Sequence, residues 1–310
     1  MNSTNLEPVT SSELRPMRKK SSSLRRIIGR CWRILRTEVF YNWLMYPYGR
    51  IAHKRRIATA ERSQAHTYTK FYRSPAQLDV LTSRVIPDLL TRLHGSRLRI
   101  VVFACSTGAE PYSVASVLNA KFPSLDFQIH ASDLHEHTIR QAREARYTKD
   151  EVFFNGSIPD EFVDRTFEWG GDEFVVRPKL KEKVTFERVN LLDTQQMHAV
   201  QPGHIVFAQN VLCHLGPIDA QKAFLNIQKS VLPGGYLFLD GANLDIRQKL
   251  IEPTELVPLS EKLRSIHNET RTNFPPDWWN YYYGTEPYML FRLDKLYRYS
   301  TIFFNPRRNS

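Results

Sequence analysis

Cysteine is scarce in this sequence. The 310 residues include three cysteines, Cys31, Cys105 and Cys213, which lie far apart along the chain. An odd number of widely spaced cysteines does not fit a disulfide framework, and the Cys-x-x-Cys spacing of many metal sites is absent. We therefore expect the three thiols to be reduced.

Long apolar runs are also missing. No uninterrupted apolar stretch approaches the roughly 20 residues that a membrane-spanning helix needs, and the N-terminus lacks the basic-then-apolar layout of a secretory signal. With 42% hydrophobic residues, the chain can still bury one large core or two small ones. These features predict a globular cytoplasmic protein and leave open a peripheral contact with a membrane surface.

Net charge is almost absent outside the N-terminal region. Residues 1–62 carry 14 Lys and Arg against 4 Asp and Glu, a net charge of +10, whereas the remaining residues carry 29 against 28. A nucleic-acid-binding face would need its basic residues on the main domain. Nucleic acid is therefore not expected as a partner.

Residues 1–66 are predicted to form a basic N-terminal extension. Residues 1–23, rich in Ser, Lys and Arg, are predicted to be disordered. From Leu24 onward, apolar residues recur at helical spacing with arginines between them, which predicts a basic amphipathic helix that ends at Pro47 and Gly49. This helix either docks on the main domain or uses residues 24–56 to bind an anionic membrane surface or an acidic partner.

Residues 67–310 alternate strand and helix patterns, which is typical of an α/β domain with a mainly parallel sheet. Strands are predicted at LRIVVFAC, DFQIHASD, VTFERVNLLD, HIVFAQNVL and YLFLDG, the last one after a turn at LPGG. The alternation of strand and helix patterns is interrupted at about 148–184, where FEWGGDEFVVRPKL predicts a small inserted hairpin with a Gly-Gly turn. Near the C-terminus, YMLFRL and LYRYSTIFF are predicted to pair as strands.

The small residues Ala104 to Gly108 follow the first predicted strand. In a sheet of this kind ligands bind at the carboxyl ends of the strands, and small residues let the backbone, here at Ala104, approach a nucleoside closely. The spacing lacks Gly-x-Gly-x-x-Gly and Gly-Lys-Ser/Thr, which disfavours a pyrophosphate. The Asp133 carboxylate, at the end of the next strand, can accept hydrogen bonds from two ribose hydroxyls. The Glu110 carboxylate can bind an ammonium group. A ligand with a ribose, an ammonium and no phosphate is S-adenosylmethionine.

The stretch from Thr67 to Leu239 resembles the CheR family, chemoreceptor methyltransferases that esterify glutamate side chains with S-adenosylmethionine. The resemblance rests on five segments in the family's order and spacing, TKFYR, ACSTGAEPYS, ASDLHEHTIRQAREARY, FERVNLLD and FAQNVLCHL. It implies a Rossmann-like class I methyltransferase sheet with helices on both faces and a small inserted β-subdomain. It also implies a protein acceptor of the receptor type.

The resemblance assigns roles to four of these residues. Thr69 and Arg73 match the family motif near the cofactor and the reacting carboxylate. Glu110 matches the acid that holds the methionine amino group, and Asp133 matches the acid on the ribose. The predicted role of Arg73 is to orient the incoming carboxylate, since a guanidinium presents a rigid fork of donors.

Two residue pairs match the parts of the family's site that line the adenine and the methionine of the cofactor. They are Asn190 with Leu191, and Asn210 with Val211. Taken without the resemblance, both asparagines favour turn formation at strand ends. Both interpretations stay open from the sequence.

The sequence departs from the family pattern in the RNVLIYF-like motif and at both ends. His214 stands where a Tyr is usual, and Gln209 replaces the preceding Arg. The family's basic N-terminal helical domain is not recognisable, and the chain continues past YLFLDG through the aromatic segment 274–288. That segment either lines the acceptor pocket or covers the edge of the core.

Three functions remain open at this stage. The first is methyl transfer to a protein carboxylate. The second is methyl transfer to a small molecule or another nucleophile, with His214 as the base. The third is a non-catalytic domain that binds the cofactor or a partner. A metal site is not expected, because His135 and His137 have no third ligand nearby in the sequence.

Overall fold

The computed structural model describes residues 27–29, 31, 32, 35, 69–93, 95–153, 158–242, 244–272 and 288–306. The predicted disordered leader and the helix end at Pro47 and Gly49 lie outside these residues. So does the aromatic segment from Phe274 up to residue 287. Of the predicted N-terminal helix, the described residues 27–29, 31, 32 and 35 are helical.

A seven-stranded sheet forms the centre of the fold, with strand order β6-β2-β1-β7-β8-β10-β9. Its strands are β1 Leu98–Phe103, β2 Phe127–Asp133, β6 Val184–Arg188, β7 Gly203–Gln209, β8 Val231–Asp240, β9 Val257–Pro258 and β10 Ile302–Phe304. Strands β6, β2, β1, β7 and β8 pair in parallel, whereas β10 runs antiparallel to both of its neighbours. The predicted parallel α/β sheet is confirmed.

Helices cover both faces of this sheet. They are α1 Pro75–Val80, α2 Ile86–Leu93, α3 Ala109–Lys121, α4 Glu136–Glu144, α5 Lys149–Val152, α6 Asp160–Thr166, α7 Pro178–Lys181, α8 Thr194–Ala199, α9 Pro217–Lys229, α10 Leu244–Ile251, α11 Leu263–Thr272 and α12 Lys295–Tyr299, with a π-turn at Leu81–Val85 and a 3-10 turn at Leu212–His214.

Strand β1 shows how the two faces are filled. Ile100 and Val102 pack in one buried cluster with residues of α1, α2 and α3. Val101 and Phe103 pack in a second cluster with residues of α8 and α9. Successive residues of a strand point to opposite faces, so an apolar run such as LRIVVF is what a strand covered on both sides requires.

A second, three-stranded antiparallel sheet lies where the insert was predicted. It consists of β3 Arg146–Tyr147, β5 Phe174–Val176 and β4 Phe167–Trp169, in that order. Its first strand begins two residues before the predicted boundary, and its last ends before α7. The hairpin of β4 and β5 turns at Gly170 and Gly171, and Gly171 has a φ of 85°.

The C-terminal strand prediction is wrong in part. Residues 288–294 form turns and Lys295–Tyr299 form α12, so only Ile302–Phe304 is a strand, and it pairs with β8 and β9. Tertiary contacts outweigh the strand propensity here, since buried Arg298 on α12 donates to the Asp245 side chain at 2.9 Å.

The predicted LPGG turn is also wrong, because these residues are part of β8. The pairing of β8 with β7 shifts in register between Gly203 and Ile205.

A buried ion pair fixes the C-terminal elements at the end of β8. Arg247 Nη1 donates to Asp240 Oδ1 at 3.1 Å, and both side chains are almost fully buried. Thr270 on α11 donates to the other Asp240 oxygen, and Arg247 Nη2 donates to the Arg298 carbonyl. The Asp240 carboxylate thus joins α10 and α11 to the edge of the sheet where the parallel strands end.

Candidate active site

All ten site residues predicted from the sequence line one cavity. They are Thr69, Arg73, Ala104, Glu110, Asp133, Asn190, Leu191, Asn210, Val211 and His214. The cavity lies at the carboxyl ends of β1, β2, β6 and β7, which is where open parallel sheets bind ligands.

The turn after β1 explains why its residues are small. Ala104, Ser106 and Gly108 have φ values of 54°, 51° and 91°, so the backbone is left-handed at three positions within five residues. A Cβ at Gly108 would lie 3.1 Å from Ala142 Cβ and 3.2 Å from the Tyr147 hydroxyl. Left-handed conformations at residues with a Cβ are costly and cluster at functional sites.

Asp133 has a structural role in the same turn. Its Oδ2 accepts from the Ser106 N–H at 2.8 Å, and its Oδ1 accepts from the His135 N–H at 3.0 Å and from Thr138 Oγ1 at 3.3 Å. A carboxylate offers about four acceptor sites. Asp133 therefore supports the turn and the start of α4 while keeping acceptor capacity toward the cavity that it lines.

Glu110 lies in the first turn of α3, two residues after the helix N-cap Gly108. Burial raises the pKa of its carboxyl to about 7, the nearby Arg73 opposes this shift, and the charge of Asp240 adds to it. At neutral pH the carboxyl is thus close to half protonated. A cationic group in the cavity would favour the ionised form.

The two asparagines form turns as well as lining the cavity. Asn190 Oδ1 accepts from the Leu192 N–H at 3.0 Å, an Asx-type turn. Asn210 has a φ of 54°, and its N–H donates to the Asp240 carbonyl. Both predicted interpretations of these residues are therefore compatible with the structure, because the same turns carry the side chains to the cavity.

Thr69, Lys70 and Arg73 line the cavity from the segment that precedes α1 and form one wall of it. The segment is held against α3 by the Tyr72 N–H, which donates to Ser113 Oγ at 2.8 Å. Burial lowers the pKa of Lys70, and the charge of Arg73 lowers it further. This wall thus brings two cationic side chains to a cavity that also contains Glu110 and Asp133.

His214 and Gln209, the two departures from the family pattern, occupy different environments. His214 ends the 3-10 turn after β7, and its side chain is exposed. Gln209 is buried, and its Nε2 donates to Gln77 Oε1 at 2.8 Å, while Gln77 Nε2 donates to Thr301 Oγ1 at 2.7 Å. Gln209 thereby connects the cavity to α1 and to the residue that precedes β10.

The sequence prediction missed several lining residues. They are Lys70, Cys105, Ser106, Leu134, His135, Val189, Leu192, Gln209 and Leu215. Each lies within two positions of a predicted residue, so the motifs that predicted the site also indicated where these residues would lie. Cys105 is not a candidate nucleophile, because burial, and next the charges of Asp133 and Glu110, raise the pKa of its thiol well above the ordinary value.

The fold and the cavity define an α/β domain with a candidate ligand site at the carboxyl ends of its parallel strands, and comparison with known proteins identifies its family. The family model "CheR methyltransferase, SAM binding domain" matches residues 67–255, which is more than half of the chain. The chain belongs to this family. The resemblance and the S-adenosylmethionine cofactor predicted from the sequence motifs are confirmed.

Three curated relatives are named chemotaxis protein methyltransferases. Over 179 residues the chain is 31% identical to chemotaxis protein methyltransferase 1 of Pseudomonas aeruginosa, covering 55% of this chain and 64% of that protein. Over 178 residues it is 30% identical to chemotaxis protein methyltransferase Cher2 of Pseudomonas putida, covering 55% and 63%. Over 175 residues it is 26% identical to chemotaxis protein methyltransferase 2 of Vibrio cholerae, covering 55% and 60%. The chain thus spans less than two thirds of each of these relatives.

The cavity residues fit S-adenosylmethionine. Ser106 Oγ is buried in the cavity wall and has no hydrogen-bond partner among the described residues, which leaves a hydroxyl ready for a polar ligand. Glu110 offers a partly protonated carboxyl that an ammonium group would ionise, and Asp133 offers a further acceptor. Among the described residues, no group of three His, Cys, Asp or Glu side chains could hold a metal ion.

We expect cofactor affinity to rise with pH. If the ligand ammonium binds the ionised Glu110, the affinity for S-adenosylhomocysteine increases about tenfold from pH 6 to pH 8 and levels off above the carboxyl pKa of about 7. Calorimetry in buffers of different ionisation enthalpy measures both the affinity and the proton released. Glu110→Gln should bind more weakly at pH 8 and lose most of the pH dependence. An unchanged pH dependence in this variant would assign the titration to another group.

Proposed function

We propose that this chain is an S-adenosylmethionine-dependent methyltransferase that transfers a methyl group to a carboxylate of a protein acceptor, a glutamate side chain of a receptor-like protein. The observation that carries the proposal is the position of Arg73. Arg73 lines the same cavity as Glu110 and Asp133, and its charge acts on the Glu110 carboxyl, so a cation that can bind a carboxylate lies beside the groups that suit the cofactor. The names of the curated relatives support the same acceptor class.

The cofactor would be held by the two acids and the strand-end turns. Asp133 would accept from the ribose hydroxyls, and Glu110 from the ammonium group. The pairs Asn190–Leu191 and Asn210–Val211 would line the adenine and methionine portions. Ala104 and Thr69 would close the cavity around the nucleoside and the methionine end.

The protein's own residues mainly orient the reactants. When bound, the cofactor supplies a methyl group already activated by its sulfonium. A glutamate acceptor is ionised at neutral pH, so no side chain needs to remove a proton. Arg73 holds the carboxylate in line with the methyl group, and such alignment accounts for much of the rate acceleration in a displacement of this kind.

A second candidate is methyl transfer to an amine or hydroxyl of a small molecule or another acceptor. The exposed position of His214 at the cavity is the observation that favours it, since an imidazole there can take a proton and pass it to solvent. A non-catalytic binding domain is the third candidate. The presence of Arg73 together with both acids in one cavity disfavours it, because binding the cofactor alone requires no carboxylate-orienting cation.

The proposed reaction takes place in the cytoplasm, where free thiols such as those of Cys31, Cys105 and Cys213 stay reduced. Among the described residues, no helix has both the length and the apolar composition to cross a bilayer.

We expect the labelled product to be a methyl ester. After incubation of the protein with methyl-labelled S-adenosylmethionine and cell lysate, mild alkali should release volatile methanol, because esters hydrolyse under conditions that methyl ethers and methylated amines survive. Label that stays on the acceptor after alkali would contradict the carboxylate proposal and favour the second candidate.

The matched controls for this experiment are two Arg→Ala variants. Arg73→Ala should lower methanol release by about 100-fold or more, with a much smaller loss of cofactor affinity. Arg97→Ala removes an exposed guanidinium that pairs with Asp126 away from the cavity and should leave the rate unchanged. Equal losses of rate and cofactor affinity in Arg73→Ala would place this residue in the cofactor site instead.

The pH dependence of His214→Phe separates the two acceptor classes. A carboxylate acceptor needs no base, so the variant should keep a rate within about tenfold of the parent, with little pH dependence between about pH 6 and 8. Single-turnover rates with saturating cofactor measure this without interference from the Glu110 titration. A loss of about 1000-fold, with normal cofactor binding, would favour an amine or hydroxyl acceptor.

A further inference from the structure

The N-terminal helix exposes an apolar face. Ile27, Ile28, Trp32 and Leu35 are helical in the described part of this segment, and their side chains are 59%, 58%, 64% and 53% exposed. Cys31 between them is exposed as well. A helix docked on the main domain by its apolar side would bury these residues, so the structure disfavours that interpretation.

These five residues share one side of the helix. At about 100° per residue, they fall within an arc of about 140°. At the same helical period, the sequence places Arg25, Arg26, Arg30, Arg33 and Arg36 outside this arc. The segment therefore combines an apolar side containing Trp with a strongly basic side, and it lies in a region whose net charge is +10.

This combination matches one kind of partner best. A purely acidic protein would contact the arginines and leave the apolar side exposed. An uncharged apolar surface would leave the arginines without a partner. An anionic bilayer satisfies both, because apolar residues enter the acyl boundary, Trp is favoured at the interface, and each Arg gains from the negative surface potential.

We propose that the described part of the N-terminal helix binds the protein to anionic lipid bilayers, with Ile27, Ile28, Trp32 and Leu35 buried at the headgroup boundary. The net charge of the remaining residues is close to zero, so the attraction is concentrated at this end of the chain. The proposal does not depend on methyl transfer or on cofactor binding, and it can be tested without either.

Vesicle sedimentation of the full chain tests the proposal. We expect binding to phosphatidylcholine vesicles with about 30% phosphatidylglycerol, at least tenfold weaker binding to pure phosphatidylcholine, and release by about 0.5 M salt. Ile28→Asp should weaken binding at least tenfold. Ile218→Asp is the matched control, since Ile218 is 83% exposed in the first turn of α9, and it should bind like the parent. Unchanged thermal unfolding would show that both variants are folded.

The exposed Cys31 gives an independent readout at the apolar side. Burial raises the pKa of Cys213 to about 12 and that of Cys105 well above its ordinary value, so alkylation near pH 7 selects Cys31. The emission of an environment-sensitive fluorophore attached to Cys31 should shift to the blue when anionic vesicles are added, and should not shift with pure phosphatidylcholine vesicles.

Several results would overturn the proposal. Equal binding of the parent chain to both vesicle types would do so, and so would an equal loss of binding in Ile28→Asp and Ile218→Asp. Sedimentation with anionic vesicles without a blue shift in the emission of the fluorophore on Cys31 would do so as well. Binding to polyglutamate without vesicle binding would favour an acidic partner. Self-association in sedimentation velocity without vesicle binding would favour a second copy of the chain.

Discussion

The site depends on one backbone constraint, namely that the parallel strands end at a common edge, where the chain must turn away. After three of these strands it turns with left-handed residues, which are Ala104 and Ser106 after β1, Asn210 after β7 and Gly241 after β8. At Gly241 a Cβ would lie 2.4 Å from the Asn210 Cα, so only glycine is tolerated there. These turns keep bulky side chains out of the space above the strand ends and leave the cavity open.

The second constraint is electrostatic. The Glu110 carboxyl lines the cavity, and the charge of Asp240 acts on it. Burial raises the pKa of Glu110, and the charge of Arg73 only partly opposes this rise. Asp240 is neutralised by Arg247 in a buried pair, whereas Glu110 is left with a raised pKa. Raised carboxyl pKa values in a cavity are typical of functional sites. The raised pKa of Glu110 is the basis for the expectation that a cationic ligand group binds here and that its binding releases a proton.

The sequence was sufficient for the parallel sheet and for the cavity lining, because both follow from local patterns. Apolar runs such as LRIVVF predict strands buried on both faces, and motif positions such as Glu110 and Asp133 fix where the strand ends meet. The C-terminal region was not predictable in the same way. Residues 288–299 have the composition of strands, but buried contacts of Arg298 with α10 select a helix. The pairing of Gln209 with Gln77, 132 positions apart, likewise has no local signal.

A crystal structure of the complex with S-adenosylhomocysteine would show whether the cavity at the strand ends binds the cofactor through Asp133 and Glu110. We expect ribose hydroxyls within about 2.7 to 3.2 Å of the Asp133 carboxylate and the ligand ammonium at the same range from Glu110. A ligand bound elsewhere, or bound in this cavity with neither acid in contact, would rule out these roles for the two acids.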